Sequence, residues 1–345
     1  MKRLSLRFSE PYRVDVVEES VAAPAGNQVL VRTLVSAISP GTELLVYRNQ
    51  WPPDVPVDET ISSLTGSFSY PLTYGYAAVG RVEETGCRET AHLLGKIVFS
   101  FNPHQSRFLV AAEELILVPP SLSPEEAVFL PNMETAVCMV MDGRPSIGEA
   151  VLVFGQGIVG LLTTSLLARF PLACLISADR LPFRRQTSVA QGATESFDPS
   201  DSHFAENIRE IVAANGATDG ADLTYELSGS PSALDTAIAV TGFSGRVVVG
   251  SWYGKKTVSL NLGGRFHRGR IQVISSQVST IAPEQRGRWT KSRRLQTALR
   301  LLEQVRPAKL ITHRFSLLQA AEAYALLDQN PETAIQVIFH YEDGQ

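Results

Sequence analysis

Residues 151–167 read VLVFGQGIVGLLTTSLL and decide the fold of this chain. The apolar run before Gly155 predicts a strand, and the run after Gly160 predicts a helix. Gly155 allows a tight turn, Gly157 lets a pyrophosphate approach the backbone, and Gly160 lets the helix lie close to the strand. The pattern therefore predicts a dinucleotide-binding turn, rather than glycines that serve only helix packing. The predicted turn comprises Gly155, Gln156, Gly157, Ile158, Val159 and Gly160.

An acidic residue stands at the end of the next predicted strand. Asp179, in LISADR (175–180), lies 19 residues after Gly160, where a carboxylate binds the ribose hydroxyls of a dinucleotide. A carboxylate at this position repels the 2′-phosphate of NADP, so the sequence favours NAD. Arg180, Arg184 and Arg185 follow closely and leave NADP open, unless they belong to a solvated helix face.

Short apolar strands alternate with helices from residue 151 to about residue 276. This alternation is typical of a doubly wound parallel sheet with helices on both faces, so we expect an α/β fold. Ligands of such sheets bind at the carboxyl ends of the strands, although Gly and Ser there are also ordinary turn residues. The predicted cofactor neighbours at these ends are Ser228, Gly229, Gly250, Ser251, Trp252 and Ser276.

Residues 1–120 have a different character, because short β-prone runs are broken there by Pro and Gly. A chain of 345 residues with 44% hydrophobic and 19% charged residues suits a globular protein of two domains. Its net charge of −4 argues against nucleic acid as a partner. Without a signal peptide or an apolar run of about 18 residues, we expect a cytoplasmic protein outside the membrane. The three scattered cysteines indicate neither a disulfide framework nor a CxxC zinc site.

The local phrases EAVLVFGQGIVG (149–160), DRLPFRRQTSVAQGA (179–193) and GADLTYELSGSPSALDTAI (220–238) resemble the medium-chain dehydrogenase/reductase family, which includes the zinc alcohol and polyol dehydrogenases. The resemblance covers nearly the whole chain. It implies a GroES-like, β-rich catalytic domain in residues 1–130, a Rossmann domain in residues 131–276 and a C-terminal return to the catalytic domain in residues 277–345. It also implies a small-molecule substrate between the domains, and a homodimer formed through the strand RIQVISSQV (270–278).

The resemblance fails at the metal ligands of the zinc members. Those members carry Gly-His-Glu where this chain has Gly75, Tyr76 and Ala77, and a cysteine where it has Ser39. Leu130 aligns with the glutamate that some members use as the third ligand. Serine, tyrosine and leucine do not make a zinc site, so we expect a zinc-independent enzyme.

Without a metal, hydrogen-bond donors must stabilise the substrate oxygen and supply a proton. Tyr76 occupies a ligand position and is the first candidate, unless it only fills the space that the metal leaves. The other catalytic candidates are Ser39, Thr42, Glu43, Asn132 and Glu134. The alternative for SPGTE (39–43), and for Asn132, is helix capping.

A basic segment, residues 263–294, contains eight Arg or Lys residues and a single acid. Arg265, His267 and Arg268 are predicted to bind cofactor phosphates or an anionic substrate, because guanidinium groups suit bidentate capture of anions. The alternative is a solvated basic loop and helix, which we favour for residues 286–294.

The chain is therefore predicted to be a zinc-independent, NAD(H)-dependent oxidoreductase. It would transfer hydride between the nicotinamide and a secondary alcohol or ketone of a polar or anionic metabolite. SPGTELLVYR (39–48) also resembles the branch near bacteriochlorophyllide hydroxyethyl dehydrogenase, without implying a tetrapyrrole substrate. Two alternatives stay open: an NAD(P)H-dependent reductase of activated C=C bonds, of the quinone or enoyl type, and a catalytically silent dinucleotide-binding protein.

Overall fold

The computed structural model describes residues 1–52, 55–57, 61–64, 66, 68–217 and 219–341. The chain divides into two compact units. The first unit combines Met1–Pro131 with Leu302–Gln345, and the second unit is Asn132–Leu301. The first unit is thus discontinuous in sequence, and residues 277–301 pack with the second unit.

Strands dominate the N-terminal part of the chain, and strands and helices alternate from residue 150 onward. The strands are β1 (Lys2–Glu10), β2 (Arg13–Ser20), β3 (Gln28–Ala37), β4 (Ala78–Thr85), β5 (Ile97–Ser100), β6 (Arg107–Ala111), β7 (Ile116–Leu117), β8 (Ala150–Phe154), β9 (Cys174–Ala178), β10 (Glu195–Phe197), β11 (Ala221–Glu226), β12 (Thr241–Val249), β13 (Gln272–Ser275), β14 (Ile311–Ser316) and β15 (Gln336–His340). The α-helices are α1 (Pro40–Tyr47), α2 (Pro124–Ala127), α3 (Leu130–Gly143), α4 (Ile158–Leu167), α5 (Pro182–Ala190), α6 (Phe204–Ala214), α7 (Pro231–Val240), α8 (Lys291–Val305) and α9 (Ala320–Gln329). Short 3₁₀ segments cover Arg88–Leu93, Ala112–Glu114, Pro283–Gln285, Pro307–Leu310, Leu317–Gln319 and Pro331–Thr333, and a π-helical turn covers Leu262–Phe266. Within the described residues, none of these helices has both the length and the apolar character that a membrane span requires.

The second unit contains a six-stranded sheet in the order β10-β9-β8-β11-β12-β13. Every neighbouring pair of strands in this sheet is parallel. Parallel sheets need cover on both faces, and β8 and β9 are accordingly buried along their whole length. The strand order reverses between β8 and β11, which makes the turn after β8 a switch point of the sheet. The predicted doubly wound α/β sheet is confirmed.

Each face of this sheet carries its own apolar core. Leu152 belongs to a cluster with Phe204 and Ile238, whereas its neighbours Val151 and Val153 belong to a cluster on the other face. The division follows from strand geometry, because successive side chains point to opposite faces. The near-continuous apolar strands of the sequence are therefore explained by burial on two sides.

The first unit is β-rich, as the sequence predicts. Its larger sheet has the order β14-β15-β3-β4-β5-β7, with β6 paired to β3. Within it, β15 pairs antiparallel with β3 and parallel with β14, so the end of the chain completes a sheet that begins near the N-terminus. Its main apolar cluster joins Phe8 and Trp51 to Tyr324 and Phe339. The C-terminal segment thereby brings its tyrosines next to the N-terminal segments of the same unit.

Candidate active site

The turn between β8 and α4 has little freedom at two of its glycines. Gly155 has φ +83°, and a Cβ on it would lie 2.5 Å from the Cα of Ser228. A Cβ on Gly160 would overlap the carbonyl oxygen of Gly155. Both positions therefore require glycine, the first because of its backbone conformation and its neighbour, and the second because helix and turn are in contact.

Gly157 differs from the other two glycines because the space in front of it is open. A Cβ there would meet nothing closer than the Nη1 atom of Arg184, at 3.9 Å. Gly157 is also the N-cap residue of α4, where no side chain caps the helix. The first N–H groups of α4 and the adjacent open space form a cradle that fits an anion such as a pyrophosphate.

Asp179 is held against the turn by the backbone. Its Oδ2 atom accepts a hydrogen bond of 2.7 Å from the N–H of Gln156, and its Oδ1 atom accepts one of 2.9 Å from the N–H of Leu181. Each carboxylate oxygen has a further lone pair. The carboxylate is therefore fixed at the turn and can still accept hydrogen bonds from a diol.

The three arginines after Asp179 have different surroundings. Arg185 donates to the carbonyl oxygens of Asp179 and Arg180 at 2.8 and 2.9 Å and forms an ion pair with Asp198. Arg184 lies next to Gly157, and burial lowers the pKa of its guanidinium while Asp179 opposes that shift. Arg180 is exposed. Of the three, Arg184 is the one that reaches the glycine turn.

A buried carboxylate that the sequence analysis missed organises the carboxyl end of β11. The Oε1 atom of Glu226 accepts hydrogen bonds from the N–H and the hydroxyl of Ser228, and its Oε2 atom accepts one of 2.5 Å from the hydroxyl of Tyr253. The N–H of Gly229 donates to the Oγ atom of Ser251 at 2.8 Å. The only sequence signal is an acid at the end of the apolar run LTYE (223–226).

The remaining predicted cofactor neighbours follow β12 and β13. The N–H of Gly250 donates to the carbonyl oxygen of Glu226 at 3.0 Å. Ser276 directly follows β13, and its hydroxyl donates to Asp142 at 2.5 Å. Trp252 is 40% exposed. Gly250 and Ser276 thus lie at the carboxyl edge of the sheet, as the strand pattern predicts.

Arg265 and His267 lie elsewhere in the second unit. The guanidinium of Arg265 donates to the carbonyl oxygen of Thr241, the first residue of β12, at 3.0 Å, and pairs with Asp219 at 2.8 Å. His267 is exposed in the same segment. Arg265 is therefore engaged at the amino end of β12, opposite to the edge that carries the glycine turn.

Three hydroxyl groups meet in the first unit. The Tyr76 hydroxyl donates to the Oγ atom of Ser39 at 2.5 Å and approaches the Oγ1 atom of Thr42 at 3.3 Å. We call these three residues the hydroxyl cluster. Ser39 is the N-cap residue of α1, but its side chain makes no capping hydrogen bond. Its hydroxyl is directed to Tyr76 instead.

Glu43 lies behind the hydroxyl cluster and is completely buried. Its Oε1 atom accepts a hydrogen bond of 2.7 Å from the N–H of Ser39, and its Oε2 atom accepts one of 3.0 Å from the Nε2 atom of His104. The hydroxyl of Tyr324 also donates to Oε2. Sequence reasoning missed His104 and Tyr324, because both come from segments without any chemical pattern of their own.

Asn132 and Glu134 lie on α3 in the second unit, and both are buried. Glu134 forms an ion pair of 3.0 Å with Arg294, whose side chain is 1% exposed. Burial raises the pKa of Glu134, and the guanidinium opposes that shift. Arg294 also donates to the carbonyl oxygens of Thr280, at 2.9 Å, and Val278. Glu134 is thus committed to a buried ion pair.

Potential metal ligands are dispersed over residues 1–52, 55–57, 61–64, 66, 68–217 and 219–341. Among these residues, no three His, Cys, Asp or Glu side chains come together closely enough to hold a metal ion. The positions predicted from the sequence to correspond to metal ligands are occupied by Ser39, Tyr76 and Leu130.

Comparison with known proteins finds similarity to dehydrogenases. Residues 159–302 match the family model of zinc-binding dehydrogenases. D-guloside 3-dehydrogenase of Escherichia coli (strain K12) is 23% identical over 341 residues, which cover 93% of this chain and 95% of that protein.

Solved structures share the fold across the whole chain. An alcohol dehydrogenase (rspB) from Escherichia coli CFT073, complexed with NADH, matches with a TM-score of 0.78 and 17% identity over 98% of this chain and 99% of that chain. A putative zinc-binding dehydrogenase from Sinorhizobium meliloti 1021, bound to NADP, matches with a TM-score of 0.76 and 19% identity over 99% of both chains.

Proposed function

We propose that the chain is a zinc-independent, NAD(H)-dependent member of the medium-chain dehydrogenase/reductase family of oxidoreductases. It would transfer hydride between the nicotinamide and a secondary alcohol or its ketone. The observation that carries the proposal is the hydroxyl cluster, in which Tyr76 donates to Ser39 at 2.5 Å. Both residues stand at positions that the sequence resemblance aligns with metal ligands of zinc members. A phenol and two alcohols replace a thiolate and an imidazole there.

The cofactor assignment rests on the glycine turn and Asp179. The turn offers open space and uncapped N–H groups at Gly157, and Asp179 offers a fixed carboxylate for ribose hydroxyls. That carboxylate favours NAD, whereas Arg184 beside the turn favours NADP. Structural relatives bind each of the two cofactors, since rspB carries NADH and the Sinorhizobium protein carries NADP. We propose NAD because the carboxylate is in place at the turn itself.

The absence of zinc is proposed on the chemistry of the donor set. Structural and catalytic zinc sites use thiolate, imidazole and carboxylate ligands, and Ser39, Tyr76 and Leu130 provide none of these. Two carboxylates lie near those positions in the sequence, but both have other partners. Glu43 accepts hydrogen bonds from Ser39 and His104, and Glu134 is paired with Arg294. We therefore derive no catalytic step through a metal.

The hydroxyl cluster would take over the proton chemistry. The bound nicotinamide supplies or accepts the hydride. In the reducing direction, the Tyr76 hydroxyl would turn its proton from Ser39 to the substrate oxygen as that oxygen gains negative charge, and the Ser39 hydroxyl would then donate to the phenol oxygen. Ser39 and Thr42 would orient the phenol and hydrogen-bond it after transfer. Such a step needs a donor aimed at the oxygen and requires no Lewis acid.

The substrate and the assembly are further parts of the proposal. A polyhydroxylated metabolite is supported by the name of D-guloside 3-dehydrogenase, to which 93% of this chain is similar. A homodimer is supported by β13, which pairs only with β12 in the described part of the chain and leaves Val273 42% exposed. Arg265 and His267, which lie away from the glycine turn, are left out of the proposed cofactor site.

The test is a fluorescence titration of metal-analysed protein with NADH and NADPH, followed by a substrate panel. We expect tighter binding of NADH than NADPH, less than stoichiometric zinc, and reduction of polyol-derived or anionic ketones. Reduction of enones or quinones in place of ketones would show a C=C reductase instead. Cofactor binding without any turnover would indicate a silent dinucleotide-binding protein, and the absence of binding would overturn the proposal.

A further inference from the structure

Ser39 is fixed in an unusual way for a helix N-cap. Its own hydroxyl does not cap α1. Instead, the Glu43 carboxylate reaches back and accepts the N–H of Ser39 at 2.7 Å. The contact is similar to the reverse half of a capping box, except that the acid stands four residues after the N-cap and not three. The arrangement leaves the Ser39 hydroxyl available for Tyr76.

Burial of the Glu43 carboxylate is costly unless its oxygens are hydrogen-bonded. The carboxylate is completely buried, and the bonds that satisfy it come from His104 at 3.0 Å and from the hydroxyl of Tyr324. These donors come from the segment before β6 and from α9. Distant parts of the chain therefore converge on one carboxylate.

The hydrogen bonds continue behind His104. The Nδ1 atom of His104 lies 2.7 Å from the Oγ atom of Ser36, which lies 2.8 Å from the hydroxyl of Tyr341. If Tyr341 donates to Ser36 and Ser36 to Nδ1, then Nε2–H of His104 donates to Glu43, and every donor is satisfied. This series, Tyr341–Ser36–His104–Glu43 with Tyr324, is called the buried network.

The buried network also shapes the backbone next to Tyr76. Gly75 has φ +115°, and a Cβ on it would lie 2.7 Å from the Cδ2 atom of His104. The imidazole ring thus packs directly on the residue that precedes Tyr76. His104 therefore contacts Gly75 and Glu43, which are the sequence neighbours of Tyr76 and Thr42.

We infer that Glu43, His104 and Tyr324 are positioning residues that hold Ser39 and Tyr76 in the geometry for proton donation. The inference rests on the proposed function for its catalytic consequence, but its geometric part is independent of it. Because Glu43, His104 and Tyr324 are completely buried, they would act on a substrate only through Ser39 and Tyr76. They would take the place of the rigid support that a metal gives to its ligands. In metal sites, loss of a hydrogen bond that orients a ligand lowers activity by about tenfold to a hundredfold, and we expect an effect of that order here.

The test compares two neighbouring tyrosines. Tyr324→Phe removes one hydroxyl from Glu43 and keeps the ring, which packs on Phe8 and Tyr47 with centroid distances of 5.2 and 5.5 Å. Tyr47→Phe makes the same change in the ring stacked on Tyr324 and is the matched control. We expect Tyr324→Phe to lower kcat about tenfold with KM for NADH unchanged, while Tyr47→Phe has no effect.

A second pair of variants, at His104, shows whether a conservative replacement retains kcat and whether a loss of kcat comes from misfolding. His104→Gln keeps an N–H donor for Glu43, whereas His104→Ala leaves that carboxylate oxygen short of a donor. We expect His104→Gln to retain more of kcat than His104→Ala, at equal NADH affinity. Equal kcat in the glutamine and alanine variants, or equal kcat in Tyr324→Phe and Tyr47→Phe, would overturn the inference.

A spectroscopic measurement separates this inference from the proposed function. The ¹³Cζ resonance of Tyr76, identified by its loss in Tyr76→Phe, reports the hydrogen bonding of its hydroxyl without any substrate. We expect Tyr324→Phe and His104→Ala to shift this resonance and Tyr47→Phe to leave it in place. If the shift occurs but the wild type turns over no carbonyl, the proposed function fails and the positioning role stands. Turnover in the wild type with an unmoved resonance would overturn the positioning role alone.

Discussion

The glycine turn of residues 155–160 and the hydroxyl cluster of Ser39, Thr42 and Tyr76 are built in opposite ways. The turn depends on backbone shape, since Gly155 has φ +83° and Gly160 contacts the Gly155 carbonyl directly. The cluster depends on side chains from separate segments, supported by a buried carboxylate. A site made by backbone keeps its sequence pattern, whereas a site made by side chains can change its chemistry while the surrounding fold persists.

The largest effect is expected from a substitution at Gly160, where the neighbouring backbone leaves no room for a side chain. A Cβ at residue 160 would overlap the Gly155 carbonyl oxygen, so Gly160→Ala should lower the free energy of unfolding by about 3 kcal/mol and abolish NADH binding. Urea unfolding and NADH titration measure the two effects. Gly157→Ala is the control, since its Cβ would have open space; it should weaken NADH binding but keep wild-type stability. Wild-type stability in Gly160→Ala would contradict the account of the turn.

The next largest effect is expected from substitutions in the hydroxyl cluster. Tyr76→Phe removes the proposed proton donor and should lower kcat about 10²-fold, while the Kd for NADH stays unchanged. Ser39→Ala should lower kcat by a smaller factor, because the phenol of Tyr76 remains. Steady-state kinetics and NADH titration of both variants give the comparison. If Tyr76→Phe retains wild-type kcat, Tyr76 only fills space.

A smaller effect is expected from the acid at the turn. Asp179→Asn keeps one oxygen acceptor but removes the charge that favours ribose hydroxyls over a 2′-phosphate. It should weaken NADH binding about tenfold, equivalent to about 1.4 kcal/mol, and narrow the difference between NADH and NADPH. Parallel titrations with both cofactors measure it. An unchanged ratio of the two affinities would show that Asp179 does not select the cofactor.

The smallest effect concerns two buried tyrosines, one in each unit. The hydroxyl of Tyr225 is buried and has no hydrogen-bond partner among the described residues, whereas that of Tyr324 donates to Glu43. Tyr225→Phe should therefore raise the free energy of unfolding by about 1 kcal/mol, and Tyr324→Phe should lower it. Urea unfolding of the two variants side by side measures the contrast. Destabilisation by Tyr225→Phe would reveal a hydrogen bond at its hydroxyl.

The second unit is well predicted by the sequence for a physical reason. Continuous apolar strands and the GxGxxG spacing are local patterns, and they follow from burial on two faces and from close backbone contact. The parallel sheet around β8 and the position of Asp179 at the turn can therefore be anticipated. The role of Glu226 cannot be anticipated, because an acid at the end of an apolar strand does not reveal which hydroxyl groups will donate to it.

The first unit is harder to predict in detail. Tyr76, Ser39 and Thr42 are candidates through their positions in a known family, and the structure brings them together. His104 and Tyr324 escape prediction because they are 61 and 281 residues from Glu43 in sequence. The role of His104 appears only when the segment before β6 packs against α1, and that of Tyr324 only when the C-terminal α9 packs there. The sequence also makes Glu134 a catalytic candidate, yet it is paired with Arg294, a basic residue of the segment predicted to be solvated.

The central claim is that a phenol does here what a metal does in zinc dehydrogenases. The most direct measurement is carbonyl reduction by NADH in wild-type and Tyr76→Phe protein, before and after exhaustive chelation, with zinc then added back. We expect chelation and zinc to leave wild-type kcat unchanged, and Tyr76→Phe to lose most of kcat under every condition. Loss of wild-type activity on chelation and its recovery with zinc, together with an active Tyr76→Phe variant, would contradict the claim.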